Sequence, residues 1–371
     1  MKKIYIISPI FLCKMYKKIQ HFRLGQSMNS PSKRFFSAKA TIFIASFIIF
    51  CVFACFGYIL FTILLYNINK ETDCEVIFMY NTKKRTNRIG FLLPLFYLVA
   101  PTLATLRSIA CINDIDPGGI GYFGDSTLMK VCNIAVAIFT IIFFTHAFSH
   151  YRKDSVPHES FCNTPTYIVS GVLGVAICFA IFEMASSLFG SDGSLNKISG
   201  EKIIFLVGAI LGIAALAFLL MNALIEKKHS VIRAAMGIAS SAFFTAYGIC
   251  VYFDNSVAAN IQQRILTLLS LIFTAAFMLY EARIPLGRSK WHSYAAFGFM
   301  ASLLLLYAGV PEIAYVIAKG AFIPGATVIQ LGVMIASAIY IITRVSLMAF
   351  MPEDEVCDLA DSILDMAHRR G

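Results

Sequence analysis

Residues 203–225 read IIFLVGAILGIAALAFLLMNALI. No charge interrupts these 23 residues, and Asn222 is the one strongly polar side chain among them. The hydrocarbon core of a bilayer is about 30 Å thick, and roughly 20 apolar residues in a helix cross it. Inside that core each backbone N–H and C=O must find its partner within its own segment, so the stretch reads as a transmembrane helix.

The same reading extends outward on both sides. Comparable windows lie at about 41–66, 89–111, 131–149, 167–189, 232–252, 265–281, 292–310 and 323–350. Pro94 and Pro101 fall inside the second span of the chain, and Pro324 opens the last, where a missing N–H costs nothing. Pro311, Glu312, Lys319 and Pro324 form the link before the last span. Over all 371 residues 58% are apolar and 14% charged, against roughly a quarter charged in soluble domains. A globular fold of this composition could not cover itself with polar surface. Secreted disulfide scaffolds, disordered regulators and ordinary cytosolic enzymes are excluded. The expected fold is an all-α polytopic transmembrane bundle with an eight-helix core at 79–351. A basic head at 1–40, a leading hydrophobic helix at 41–66 and a short tail at 352–371 complete it.

The net charge of +10 is concentrated in the head. Residues 1–40 carry nine basic side chains and no acid, and the rest carry 22 basic and 21 acidic groups. Nucleic-acid binding needs a basic face on a folded domain, so no nucleic-acid partner is expected; the head reads as a membrane-surface tail. From the second span on, the loops and span ends alternate in charge. One set holds fifteen basic residues, from Lys83 to Arg370 and including Arg233 and Arg344. The other holds five, Lys130, Lys197, Lys202, Arg264 and Lys319, with Glu312 among its acids. The positive-inside rule then makes the C-terminus cytoplasmic in a multi-pass protein of the cell membrane. If 41–66 also crosses, the basic head falls on the wrong side. The conflict is resolved by a non-crossing first helix, by a first helix that crosses against the rule, or by translation from Met79, which opens MYNTKKRTNRIGFLLPLF.

From residue 83 onward the chain resembles a loose group of multi-pass membrane proteins from Gram-positive anaerobes. The resemblance rests on Leu106–Arg107, Asp116–Pro117, Gly121–Tyr122–Phe123, Tyr280–Glu281–Ala282–Arg283 and Leu286–Gly287–Arg288. It implies a topology in a bacterial membrane and no particular chemistry.

Polar residues inside spans are costly and therefore point to sites. On the outer side these are Arg107, Asn133, Glu183 and Gln330. Arg107 and Glu183 form a buried ion pair lining a cavity, or both snorkel to the interface, which is the plainer reading. On the inner side lie Glu281, Arg283 and Arg344; Glu281 and Arg283 diverge on a helix, so Glu281 is expected to meet Arg344 or Arg288. His146 and His150 share a helix face at i, i+4, the spacing a metal site uses. No motif fixes a third ligand, so these two remain weak candidates and no metal or cofactor is expected. Cys111 and Cys132 flank the first outer loop and read as packing rather than a disulfide. Gly124–Asp125–Ser126 matches the start of an esterase block but has no partner base, and reads as a loop. Small residues at Gly171/Gly174, Gly208/Gly212 and Ala235/Ala239 suit close helix packing. Val356, Leu359 and Ile363 give the tail a narrow apolar stripe that could dock on the inner loops or on a protein partner.

These features leave three classes: a non-catalytic permease-like or channel-like protein for a neutral or lipid-like solute, an accessory or sensory subunit acting through partners, and a membrane-embedded enzyme. The scarcity of paired catalytic groups counts against the last. A polar interior joining Arg107, Asn133, Glu183 and Gln330 would favour the first.

Overall fold

A computed structural model of the chain describes residues 92–115, 126–150, 164–189, 200–224, 231–253, 261–286, 289–323 and 326–350. The head, the helix at 41–66, the loop at 116–125, Arg288, the tail at 352–371 and the side chain of His150 lie outside them.

Among the described residues every regular element is helical, and eight helices are long and apolar enough to cross a membrane. They are α1 (Leu92–Asp114), α2 (Thr127–His150), α3 (Thr164–Phe189) and α4 (Gly200–Leu224). α5 (Val231–Phe253), α6 (Gln262–Arg283), α7 (Trp291–Lys319) and α8 (Val328–Phe350) follow. A single 3-10 turn, Ile284–Leu286, ends α6. At 1.5 Å per residue even the shortest helix reaches about 33 Å, enough for the hydrocarbon core.

Local chemistry sets several of the ends. Ser126 starts α2 as its N-cap, its hydroxyl accepting the Met129 N–H at 3.2 Å and bonding to the Asp114 carboxylate. This is the serine of the esterase-like triplet, held in a structural role. Thr327 caps α8 in the same way through the Gln330 N–H at 3.1 Å. Gly320 ends α7 with a φ of 74°, the left-handed conformation glycine adopts without strain, and its N–H reaches the Val316 carbonyl at 2.9 Å.

The largest departure from expectation is α7. Its span was expected to stop at residue 310, with Pro311 to Lys319 in a link. The helix instead runs through Pro311 to Lys319, and Glu312 is wholly buried inside it. Arg264, Arg233 and Arg344, assigned to loops or span ends, are buried as well. The helices continue past the apolar windows, and the polar residues at their ends are covered by neighbouring helices instead of water. Two buried arginines leave the richer set of the topology count and one leaves the poorer, so the charge asymmetry keeps its sign.

Packing follows a closed circuit: α3 on α4, α4 on α5, α5 on α6, α6 on α7, α7 on α8, and α8 back on α3. α1 and α2 pack on each other and on α7. α7 therefore has neighbours on several sides and is buried for nearly its whole length, while α2 and α4 leave much of their surface outward. The tightest approaches use glycine. A Cβ on Gly237 would lie 2.6 Å from the Ala282 Cβ and 2.9 Å from its Cα, and one on Gly212 would lie 2.5 Å from Ile181. Gly208 meets Met184, but Gly171 has nothing within 4 Å, so only part of the small-residue set serves packing.

Candidate functional site

A helix repeats its faces nearly every seven residues, so polar residues at that spacing line up along one side. On α6 the buried residues Gln263, Thr267, Ser270, Thr274 and Glu281 lie at successive steps of four, three, four and seven. The row covers 18 helical steps, from Gln263 to Glu281, about 27 Å, close to the thickness of the bilayer core. On α5 Arg233, Ser240 and Tyr247 are buried at steps of seven, and on α8 Gln330, Ser337 and Arg344 repeat that spacing. Serine and threonine in apolar helices commonly bond back to a carbonyl one turn earlier. Thr267, Ser270 and Thr274 do so, onto Gln263, Thr267 and Ser270 at 3.0, 2.8 and 2.8 Å. The buried hydroxyls of Ser170 on α3, Ser240 and Ser337 have no hydrogen-bond partner.

One end of these rows closes on a network among the circuit helices. Arg344 Nε donates to Glu281 Oε1 at 2.7 Å, Tyr294 OH to Glu281 Oε2 at 2.6 Å, and Tyr340 OH to Oε1 at 3.3 Å. Arg344 also reaches Thr166 Oγ1 at 3.3 Å. The Asn222 amide donates to Tyr340 OH at 3.4 Å and accepts from Arg233 Nε at 2.8 Å. Glu281 thus meets Arg344, one of its two expected partners. Arg283 does not join them: it is exposed, with its guanidinium 5.0 Å from the Tyr280 ring centroid. Residues from α3 to α8 all contribute. Asn222 is a further polar residue at the inner ends of the spans, together with His146; Tyr294, Tyr340, Thr166 and Arg233 are not among the expected members.

At the other end the four outer-side residues fall into two groups. Arg107 is completely buried by protein and does not bond Glu183. Its NH1 donates to the Tyr307 carbonyl at 2.8 Å and its NH2 to Gln263 Oε1 at 2.7 Å, and the guanidinium sits 4.5 Å from the Tyr307 ring centroid. Both the ion-pair and the snorkelling readings of Arg107 are therefore corrected. The reason lies in Pro311, which has no N–H to give the Tyr307 carbonyl four residues earlier. That carbonyl, left without its helical donor, is where Arg107 binds. Asn133 accepts from Tyr307 OH at 2.8 Å, so it belongs to the same group. Glu183 instead accepts from Tyr247 OH at 3.2 Å and Thr327 Oγ1 at 3.4 Å. Since Thr327 caps the turn carrying Gln330, this second group joins the rows of α5 and α8 at the ends away from Glu281.

Other polar groups are explained by structure alone. Arg264 donates to the Val251 carbonyl at 2.8 Å and to that of Tyr252, two of the last carbonyls of α5, which no intrahelical N–H can reach. Among the described residues no cluster of three or more His, Cys, Asp or Glu side chains could hold a metal ion. His146 stands at the end of α2 beside no such set. Cys111 and Cys132 are buried free thiols.

Comparison of the chain with protein-family models, curated proteins and solved structures finds no match.

Proposed function

We propose that this multi-pass membrane protein is a permease-like or channel-like carrier of small polar solutes without net charge. One observation carries the reading: buried polar residues recur at helical spacing along α5, α6 and α8 for most of the bilayer thickness, and at one end a hydrogen-bond network joins these three helices. Helices that only had to pack would not need them. A buried hydroxyl without a partner costs about 1–3 kcal/mol, and intramembrane polar groups are kept mainly where a substrate or ion passes. The middle of each row is uncharged, formed by Ser240, Ser270, Thr274 and Ser337. Such groups can exchange hydrogen bonds with a neutral solute but offer an ion little compensation for its lost hydration. The charged residues stand at the two ends, engaged with neighbours.

The test is solute flux into liposomes holding the full-length chain, read by stopped-flow light scattering with glycerol, urea and glycine. At least one solute should enter faster than into empty liposomes. Ser337→Phe, which fills the row, should abolish the increment, and Val175→Phe on the exposed face of α3 should preserve it. Flux equal to that of empty liposomes for every solute would overturn the proposal.

A further inference from the structure

The α6 row begins at a clasp. Gln263, its first residue, has both ends of its amide engaged: Oε1 accepts from Arg107 NH2 at 2.7 Å, and Nε2 donates to the Ala308 carbonyl at 3.1 Å. Arg107 NH1 donates to the adjacent carbonyl of α7, that of Tyr307, at 2.8 Å. Two buried side chains thus bind α1, α6 and α7 together where the row starts. While they hold, the first polar group of the row is engaged by protein and not by a solute.

The two ends of the row are closed by different chemistry. At the far end Glu281 and Arg344 form an ion pair at 2.7 Å, with Tyr294 and Tyr340 on the same carboxylate. Parting such a pair forfeits a strong attraction. Arg107 gives its bonds to neutral acceptors, and a buried guanidinium regains hydration once water reaches it. The packing allows that release. Helices α3 to α8 form their circuit without α1, which packs on α2 and α7, so α1 can draw Arg107 away and leave the circuit intact. Near its opposite end α1 is tied to α8 by Tyr97 OH and Ser346 Oγ, 3.2 Å apart, which makes the Arg107 end the one that swings. Beyond Pro311, Tyr315 and Ile323 pack with Ala110, Cys111 and Met129 in one apolar cluster. The end of α7 therefore travels with α1 and α2, and Pro311 is the bend that permits it. Release uncovers the Gln263 amide together with the Tyr307 carbonyl, which has no helical donor. The groups that the clasp uses are those an entering polar solute would bond.

We propose that Arg107 and Gln263 form a gate at the start of the α6 row, shut while Arg107 holds Gln263 and the Tyr307 carbonyl and open when it lets both go. This rests on the permease reading, and it adds which end of the path opens and what keeps it closed.

The experiment reads water access just inside the gate. Thr267→Cys, one turn beyond Gln263, is placed in the full-length chain without other cysteines and treated in native membranes with a charged, water-soluble thiol reagent. Gln263→Met has a side chain of similar length and makes neither bond. It should speed labelling of Thr267→Cys by about tenfold or more, the order a hydrogen bond to a charged group contributes. Gln263→Glu keeps an acceptor for Arg107 and should label no faster than the parent. Arg107→Lys keeps the charge but loses the fork that reaches two acceptors at once. It should speed labelling as well, and it stands in if Gln263→Met fails to fold. Unchanged rates in Gln263→Met and Arg107→Lys would overturn the gate. So would equal acceleration in Gln263→Glu and Gln263→Met, which is the mark of a packing defect. Solute flux with Thr267→Cys unreactive in every variant would overturn the gate and leave the permease reading intact. Labelling that follows the clasp in a protein that passes no solute would overturn the permease reading and leave Arg107 and Gln263 controlling the entry of water.

Discussion

The side chain of Glu281 accepts from three donors and pairs with one of them: Arg344, Tyr294 and Tyr340 surround it, all fully buried. Removing one partner of such a pair strands the other charge, at a cost of roughly 3–5 kcal/mol. Arg344→Leu should therefore lower the unfolding free energy in detergent by that order, read by thermal or steric-trapping unfolding. Glu281→Leu/Arg344→Leu together should recover part of the loss, since no charge is stranded, but not all, because Tyr294 and Tyr340 lose their acceptor. A silent Arg344→Leu would mean the network contributes little to the fold. The pairing of Glu281 was legible in the sequence because Glu281 and Arg344 are both charges at the same end of predicted spans. The partners of Arg107 were not. Depth alone suggested Glu183, but α1 packs on α2 and α7 while Glu183 sits on α3. Its acceptors are the Gln263 side chain and the Tyr307 backbone carbonyl, and no composition argument displays a carbonyl.

At the scale of elements, Pro311 and Arg107 act as one device. Proline removes the donor from the Tyr307 carbonyl, and arginine from another helix replaces it. In a Pro311→Ala background the carbonyl regains a helical donor, so losing Arg107 should then be less damaging. A double-mutant cycle of Arg107→Met with Pro311→Ala should show coupling of about 0.5–3 kcal/mol in that direction; strict additivity would separate the two residues. Helix proximity gives another expectation. Gly237→Ala puts a methyl group against the backbone of Ala282, which cannot step aside, and should destabilise by about 1–3 kcal/mol. Gly171→Ala, with open space around it, should be close to neutral. The eight core helices were readable because each needs its own apolar run. Their ends were less so: polar side chains such as Arg264 and Glu312 lay just beyond the windows although the helices continue through them in contact with neighbours. The rows on α5, α6 and α8 were present as a spacing of seven. Serine and threonine weigh little against long runs of leucine and isoleucine, so averaged hydropathy passed over them.

For the whole molecule, the orientation read from loop charge implies that a reporter active only outside the cytoplasm works when inserted in the loop between α1 and α2 and fails when fused after Gly371. The reverse pattern would invert the topology without touching the helix packing. The interior is a separate matter. A bundle that serves only as a subunit for partners needs a dry, lipid-like centre, whereas a permease must admit water and solute to its polar row at some stage of its cycle. Thiol accessibility distinguishes them most directly. Ser270→Cys and Ser337→Cys, placed singly in a background without other cysteines, would be treated in native membranes with a charged, water-soluble thiol reagent. Phe182→Cys, on the exposed face of α3, is the lipid-facing control. The expected result is time-dependent labelling at both row positions and none at the control. Row positions that stay as unreactive as the lipid-facing cysteine would contradict a solute path through this protein.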